Sequence, residues 1–438
     1  MKSIIGFFLL FFPFFPFAQS TEYQTITDNH EVIWDVEWFG EDTLIFTELK
    51  GKVKMVDLNT QEVFELLTLQ NVAAENQAGL MGMQLAPDFS SSNKVYLAYT
   101  IYDEDFNIYK RVSTFSYNPQ TAKLESEEIL VDSILSKNAN LGGRLLIDNG
   151  FIYLTSGDNQ NENLAQDLQS TAGKILFYQL DGTLGNGTDA IYSFGHRNPQ
   201  GICKTPNGNL IISEHGSFND DEINLLEQNR NFGWPLVSGM KEQGNEALYN
   251  QHNIKEPLAA FTPTIAPSGI AFYENGNFQD IDNSLLVATL KDQAVHVLTL
   301  NTTQDSIVSQ KRIDLAGIGR IRDILVTPSG RIFAATSNRD VYGEPKLNDD
   351  RIIELLEGVF SSTEELEYQR TALRVFGNRV YNISSNIQNI SVFDLGGNLV
   401  KQFQLNQGGN FSFDGFSMGI YLLKTSDGLI KPQKIFVH

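Results

Sequence analysis

Residues 43–57 read TLIFTELKGKVKMVD: a β-forming run, a turn at Gly51, then a second alternating run that closes on a polar residue. The pattern returns near Lys94 (KVYLAYT), Phe151 (FIYLTSGD), Asn209 (NLIISEHG), Ser284 (SLLVATLKDQAVHVLTL) and Arg331 (RIFAATSN). The copies stand roughly 45 to 75 residues apart, which suits a four-stranded unit with variable loops. Six such units predict an all-β chain folded as a six-bladed β-propeller over residues 22–357. A β-sandwich with long insertions is the rival reading. It is disfavoured because no helical periodicity fills the gaps and the repeat is regular.

The chain has 438 residues, 41% of them apolar, enough for one large domain or two smaller ones with proper cores. A formal net charge of -21 would be repelled by nucleic acid and by anionic membrane surfaces, and argues against both as partners. Cys203 is the single cysteine, so no intrachain disulfide forms, and its apolar strand setting reads as a buried thiol. At the N-terminus Lys2 precedes an almost wholly apolar run from Ile4 to Phe17 that ends at Ala18. This is the pattern of a signal peptide, residues 1–18, cleaved after Ala18. Pro13 and Pro16 interrupt a run already short for a membrane span.

In a propeller, the loops on one face converge over the central axis, so residues distant in sequence can meet. The candidates flank the strands: Gln77, Asn140, Arg144, Asp158, Arg197, Asn198, Gly216, Ser217, Lys291, Arg320 and Arg322. Arg197, Lys291, Arg320 and Arg322 are cations in an acidic protein, and guanidinium forks match carboxylates in pairs. Taken singly, each is an ordinary surface residue. Taken together, they would be satisfied by a small polyanion.

One stretch carries more. His196-Arg197-Asn198-Pro199-Gln200-Gly201, Glu214-His215-Gly216, Asp220-Asp221-Glu222-Ile223-Asn224 and Asn231-Phe232-Gly233-Trp234-Pro235 follow in order within about forty positions. This order resembles the soluble quinoprotein sugar dehydrogenases, which oxidise aldoses with pyrroloquinoline quinone (PQQ) and calcium. The resemblance implies that Arg197, Asn198, Lys291, Arg320 and Arg322 hold PQQ, and that carbonyl oxygens of Gly216 and Ser217 hold its calcium. It implies a second, structural calcium site at Asp221, Glu222, Phe232 and Glu242, and a sugar site that includes Gln77 and Asp158. Arg197 would face the charge that develops during oxidation of the C1 hydroxyl.

The sequence departs from the family where the chemistry is most exposed. The family's base is a histidine four residues before the Arg of its (G/S)GRL motif, and here that position is Asn140, with Ala139 before it in place of an acid. An amide has no useful basicity, and loss of a general base costs about 10²- to 10⁴-fold in rate. Asp158 or His215 could take the proton instead, directly or through water; His196 and His215 also read as hydrogen-bonded structure beside the turns. Ser217 replaces a common proline, and Thr262 lacks the large aromatic of glucose-oxidising members. A slow dehydrogenase and a non-catalytic PQQ-, carbohydrate- or protein-binding propeller at the cell surface both remain open. So do the sugar, the electron acceptor and the oligomeric state.

Residues 358–374 form a polar stretch without β-alternation, read as a linker. From 375 to 438, ISVFDLGGNLVKQFQL, FSFDGFSMGIYLLKTSDG and KIFVH predict a small C-terminal β-sandwich. It resembles the sorting domain of Bacteroidota cargo for type IX secretion, which implies export through the periplasm to the surface or medium and the type IX machinery as a partner. A carbohydrate-binding sandwich would need exposed aromatic platforms. Phe393, Phe403, Phe411, Phe413, Phe416 and Tyr421 instead sit mostly at alternating, core-facing positions.

Overall fold

The computed structural model describes residues 23–356 except positions 41, 243 and 316, and parts of 365–437. The expected signal peptide, 1–18, and most of the linker, 358–374, lie outside the described residues. Six antiparallel sheets follow one another along the chain. Their second strands are Thr43–Glu48, Lys94–Tyr102, Phe151–Ser156, Leu210–Glu214, Ser284–Thr289 and Ile332–Thr336, the six runs legible in the sequence. Their first strands are Ile33–Gly40, Leu80–Leu85, Leu145–Asp148, Pro199–Lys204, Pro267–Tyr273 and Ile321–Val326. Each first strand packs against the first strand of the next sheet, and the sixth packs against the first, so the six form a closed ring. This is propeller geometry.

The apolar runs are continuous because both faces of each second strand are buried. Successive side chains point to opposite faces, so one strand feeds two interfaces. In the first sheet Leu44 and Phe46 pack with Phe333, Ala335 and Ile352 of the sixth, while Ile45 packs with Leu80, Met83 and Val95 of the second. Similar clusters lie between each further pair of neighbours. Tyr23–Thr27 pairs antiparallel with Ile352–Leu355, so an N-terminal strand completes the last sheet and ties the ring shut.

The C-terminal residues make two further sheets, one of three strands beginning at Leu373–Phe376 and one of four ending at Gln433–Val437. The first of these strands starts before the expected boundary at 375. Within the expected linker, Glu365–Leu366 adds a short strand to the fifth sheet beside Ile307–Asp314. Val380, Ile390, Val392, Leu405, Phe413, Tyr421 and Leu423 form one apolar cluster drawn from both small sheets, with Phe403, Phe411 and Phe416 packed against it.

Candidate active site

Antiparallel pairing fixes where the site lies. The end of each second strand stands beside the start of the first strand in its sheet, as in Ile33↔Glu48, Pro199↔Glu214 and Ile321↔Thr336. Loops that enter first strands and loops that leave second strands therefore share one face. They surround a cavity of about 380 Å³, lined by Gln77, Asn140, Arg197, Asn198, Gly216, Ser217, Asp221, Lys291, Arg320 and Arg322. Of the expected cavity residues, Asp158 and Arg144 are not in the lining.

The cationic side carries an anion that sequence reasoning missed. Asp340 Oδ2 accepts from Arg320 Nε and Nη2, at 3.1 and 2.9 Å, and from Arg322 Nη2 at 2.9 Å. The only signal for it was position, since Asp340 follows its second strand as Asp158 follows its own. Arg322 is buried, which brings it down to about 10; Asp340 opposes the shift while Arg320 and Arg144 add to it, so the guanidinium stays charged at neutral pH. Lys291 Nζ donates to Thr264 Oγ1. With Asp340 and Asp221 set against Arg197, Lys291, Arg320 and Arg322, the lining keeps an excess of positive charge, which fits a polyanionic ligand.

Opposite stand main-chain oxygens. Arg197 Nη1 donates to Gly216 O at 2.5 Å and to His215 O at 3.3 Å, so this turn already presents carbonyl oxygens to a cation. A Cβ on residue 216 would lie 2.0 Å from Asn219 O, so only glycine closes the turn in this form. Asn198 is fixed by Gly142 N and Gln200 Nε2, both donating to its Oδ1, and its Nδ2 faces His215 Nδ1 at 3.4 Å. Burial, then Arg197, Arg322 and Arg320, hold His215 down at about 3. It is neutral at any physiological pH and a poor proton acceptor.

The Asn140 corner has a defined order. Gln77 Oε1 accepts from Asn140 N at 3.1 Å, and Asn140 Nδ2 donates to Asp158 Oδ1 at 3.1 Å. Asp158 lies behind Asn140, buried, and also accepts from Gln160 N at 2.9 Å and Trp234 Nε1 at 3.0 Å. Desolvation raises its carboxyl above the usual range although Gln160, Asn140, Arg197 and Trp234 all oppose the shift. Lys110, fully buried beneath this corner, donates to Leu141 O and holds the turn from the neighbouring sheet.

The sequence profile of the glucose/sorbosone dehydrogenase family matches residues 30–342. The chain belongs to this family. An aldose sugar dehydrogenase of Escherichia coli is 30% identical over 284 residues, 61% of this chain and 76% of that one. A quinoprotein glucose dehydrogenase B of Acinetobacter calcoaceticus is 26% identical over 420 residues, covering 75% and 86%. The PQQ-bound aldose sugar dehydrogenase of Streptomyces coelicolor superposes with a TM-score of 0.67 at 26% identity, over 76% of this chain and 96% of that one.

Within this family member, two expected groupings need correction. Asp221 and Glu222 begin the strand Asp221–Leu225, where neighbours point to opposite faces. Asp221 therefore faces the main cavity, and both its oxygens are taken by the amides of Gly216, Ile265 and Ala266. Glu222 and Phe232 instead border a separate void of about 10 Å³ with Glu214 and Asp220. Glu242 is not in the lining of that void, and among the described residues no three His, Cys, Asp or Glu side chains are grouped to hold a metal. Burial, then the neighbouring Glu214, push the Glu222 carboxyl up to about 8. Arg144, the other correction, turns away from the cavity into the central channel, where it pairs with Asp35 at 2.9 Å and Asp323 at 3.1 Å.

His196 is structural. Its ring nitrogens bond Ser193 Oγ at 2.8 Å and Glu214 Oε2 at 2.9 Å, and it stacks on Phe232.

Proposed function

We propose that this protein is an exported quinoprotein that oxidises the C1 hydroxyl of an aldose with PQQ and calcium. The observation that carries this is the convergence of Arg197, Lys291, Arg320 and Arg322 with the Gly216 carbonyl on one cavity, in a chain of the glucose/sorbosone dehydrogenase family. When bound, PQQ supplies the hydride acceptor and calcium polarises its quinone oxygen. Lys291, Arg320, Arg322 and Asn198 would hold the acids and quinone edge, with Asp340 keeping both guanidinium planes aligned. The carbonyls of Gly216 and Ser217 would hold the calcium, and Arg197, the cation beside them, would face the developing charge. Gln77 fixes the Asn140 backbone beside the sugar. At the acidic turn, Glu222 and the Phe232 region suit a second cation, which would relieve the Glu222–Glu214 repulsion; Asp221 would take no part.

Asn140 favours a second reading, a propeller that binds the cofactor or a carbohydrate without turnover. Titrating the purified chain with PQQ, with and without calcium, and following dye reduction over a panel of aldoses separates them. Calcium-dependent binding with reduction supports the dehydrogenase, and tight binding with no reduction supports the second reading. Residues 1–18 would direct export to the periplasm and 375–438 would act as a β-sandwich sorting domain for type IX secretion.

A further inference from the structure

We propose that Asn140 and Asp158 together replace the absent imidazole as a two-residue proton relay in which Asp158 is the final acceptor. The proposal rests on the dehydrogenase reading above. Asn140 lines the cavity and Asp158 does not. The Asn140 Nδ2 hydrogen bond to Asp158 Oδ1 commits the amide nitrogen to the carboxylate, so the amide oxygen is the side-chain acceptor left to a cavity ligand. Asp158 is 2% exposed and pinned by Gln160 N and Trp234 Nε1, so its carboxylate cannot swing forward to meet a sugar. Asn140 is the group between them. Burial raises the proton affinity of Asp158, with Arg197 the charged neighbour that moderates it.

The step balances as follows. The sugar C1 hydroxyl gives its proton to Asn140 Oδ1 while an Nδ2 proton passes to Asp158 Oδ1. The C1 hydrogen leaves with the C1–H electron pair as hydride to an ortho-quinone oxidant, which is reduced by two electrons, and C1–O becomes the carbonyl of a lactone. Asn140 is left as its imidic tautomer and Asp158 as the neutral acid. Asp158 then returns its proton to Nδ2 as solvent takes the proton on Oδ1, and the amide is restored.

The test uses the full chain loaded with PQQ and calcium, in variants Asn140→Ala, Asp158→Asn, Asn140→His and the double variant Asn140→His/Asp158→Asn. The relay predicts that Asn140→Ala and Asp158→Asn each lower kcat by about 10²- to 10⁴-fold with little change in PQQ affinity. Asn140→His should raise kcat by about one to three orders of magnitude, because imidazole accepts the proton itself. Asn140→His should also restore activity to Asp158→Asn, which a merely structural Asp158 would not allow. In the cofactor-free protein, infrared titration should find the Asp158 carboxyl above the usual carboxylate range, and higher still in Asn140→Ala, which lacks one donor to the charged form. An Asn140→Ala variant with full kcat, no rescue in the double variant, or an Asp158 that titrates in the ordinary range would each overturn the relay. Absence of calcium-dependent PQQ binding would sink the dehydrogenase reading itself. Tight binding with no turnover in wild type would overturn the relay and leave a binding protein.

Discussion

At the turn after Glu214, Asp221 accepts the amides of Gly216, Ile265 and Ala266 at 2.7, 2.6 and 2.6 Å, tying the carbonyl-bearing turn to the loop before the fifth sheet. The sequence reading treats three consecutive acids as one ion site, and on that reading Asp221→Ala would lower Tm mainly when calcium is present. The geometry reverses the expectation. Removing the carboxylate leaves buried amides without acceptors, at about 1–3 kcal/mol each, whether or not an ion is bound. Asp221→Ala should therefore lower Tm equally in calcium and in chelator, measured by thermal melts in both. A loss confined to calcium would return Asp221 to the metal site. What was legible here was residue type and order; what was not was direction. Alternation along a strand sends Asp221 and Glu222 apart, and a run of letters does not say where a strand begins. Asp340 was missed for a related reason, because a loop carboxylate gains meaning only when Arg320 and Arg322, at the start of the sixth sheet's first strand, arrive beside it.

The loop between Ile332–Thr336 and Ile352–Leu355 carries Asp340 and Tyr342 to the cavity rim, and Asp350 anchors its base. The buried Asp350 carboxylate accepts from Asn338 N at 2.5 Å, Arg339 N at 3.3 Å and Thr336 Oγ1 at 3.3 Å. Burial pushes its carboxyl up to about 7; the Asn338 and Arg339 amides oppose this and Asp349 adds to it. A folded-state value above the unfolded one means the native protein binds the proton more tightly. The stability this confers is complete below the unfolded value near pH 4 and is lost as pH rises through about 7. Urea titrations should show wild type losing on the order of a few kcal/mol more than Asp350→Asn between about pH 5 and 8. Parallel pH profiles for the two would refute the assignment.

Elements were unevenly readable. The six second strands stand out because both faces are buried and each carries a run of apolar or β-branched residues. First strands such as Pro199–Lys204 (PQGICK) line a polar channel and mix Gly, Gln and Lys, so no period marks them.

At the scale of the whole molecule, ring closure explains how loops far apart in sequence build one cavity, and why the ring depends on Tyr23–Thr27 reaching Ile352–Leu355. Cutting that strand would open the last interface. The C-terminal sheets stand differently. They share their own apolar cluster, and among the described residues the six inter-sheet clusters draw none from them. Cooperative units that share few buried contacts tolerate separation. Deleting residues 373–438 should therefore leave Tm of the main transition and PQQ affinity within error of the full chain, while the protein collects in the periplasm of its host rather than at the surface or in the medium. The cut leaves Glu365–Leu366 in place, so the fifth sheet keeps its added strand. Fractionation of the host with a PQQ titration of the recovered protein checks both halves. A truncated chain that reaches the medium would remove the sorting role, and one that unfolds would mean the tail supports the blades through contacts that the apolar clusters do not reveal.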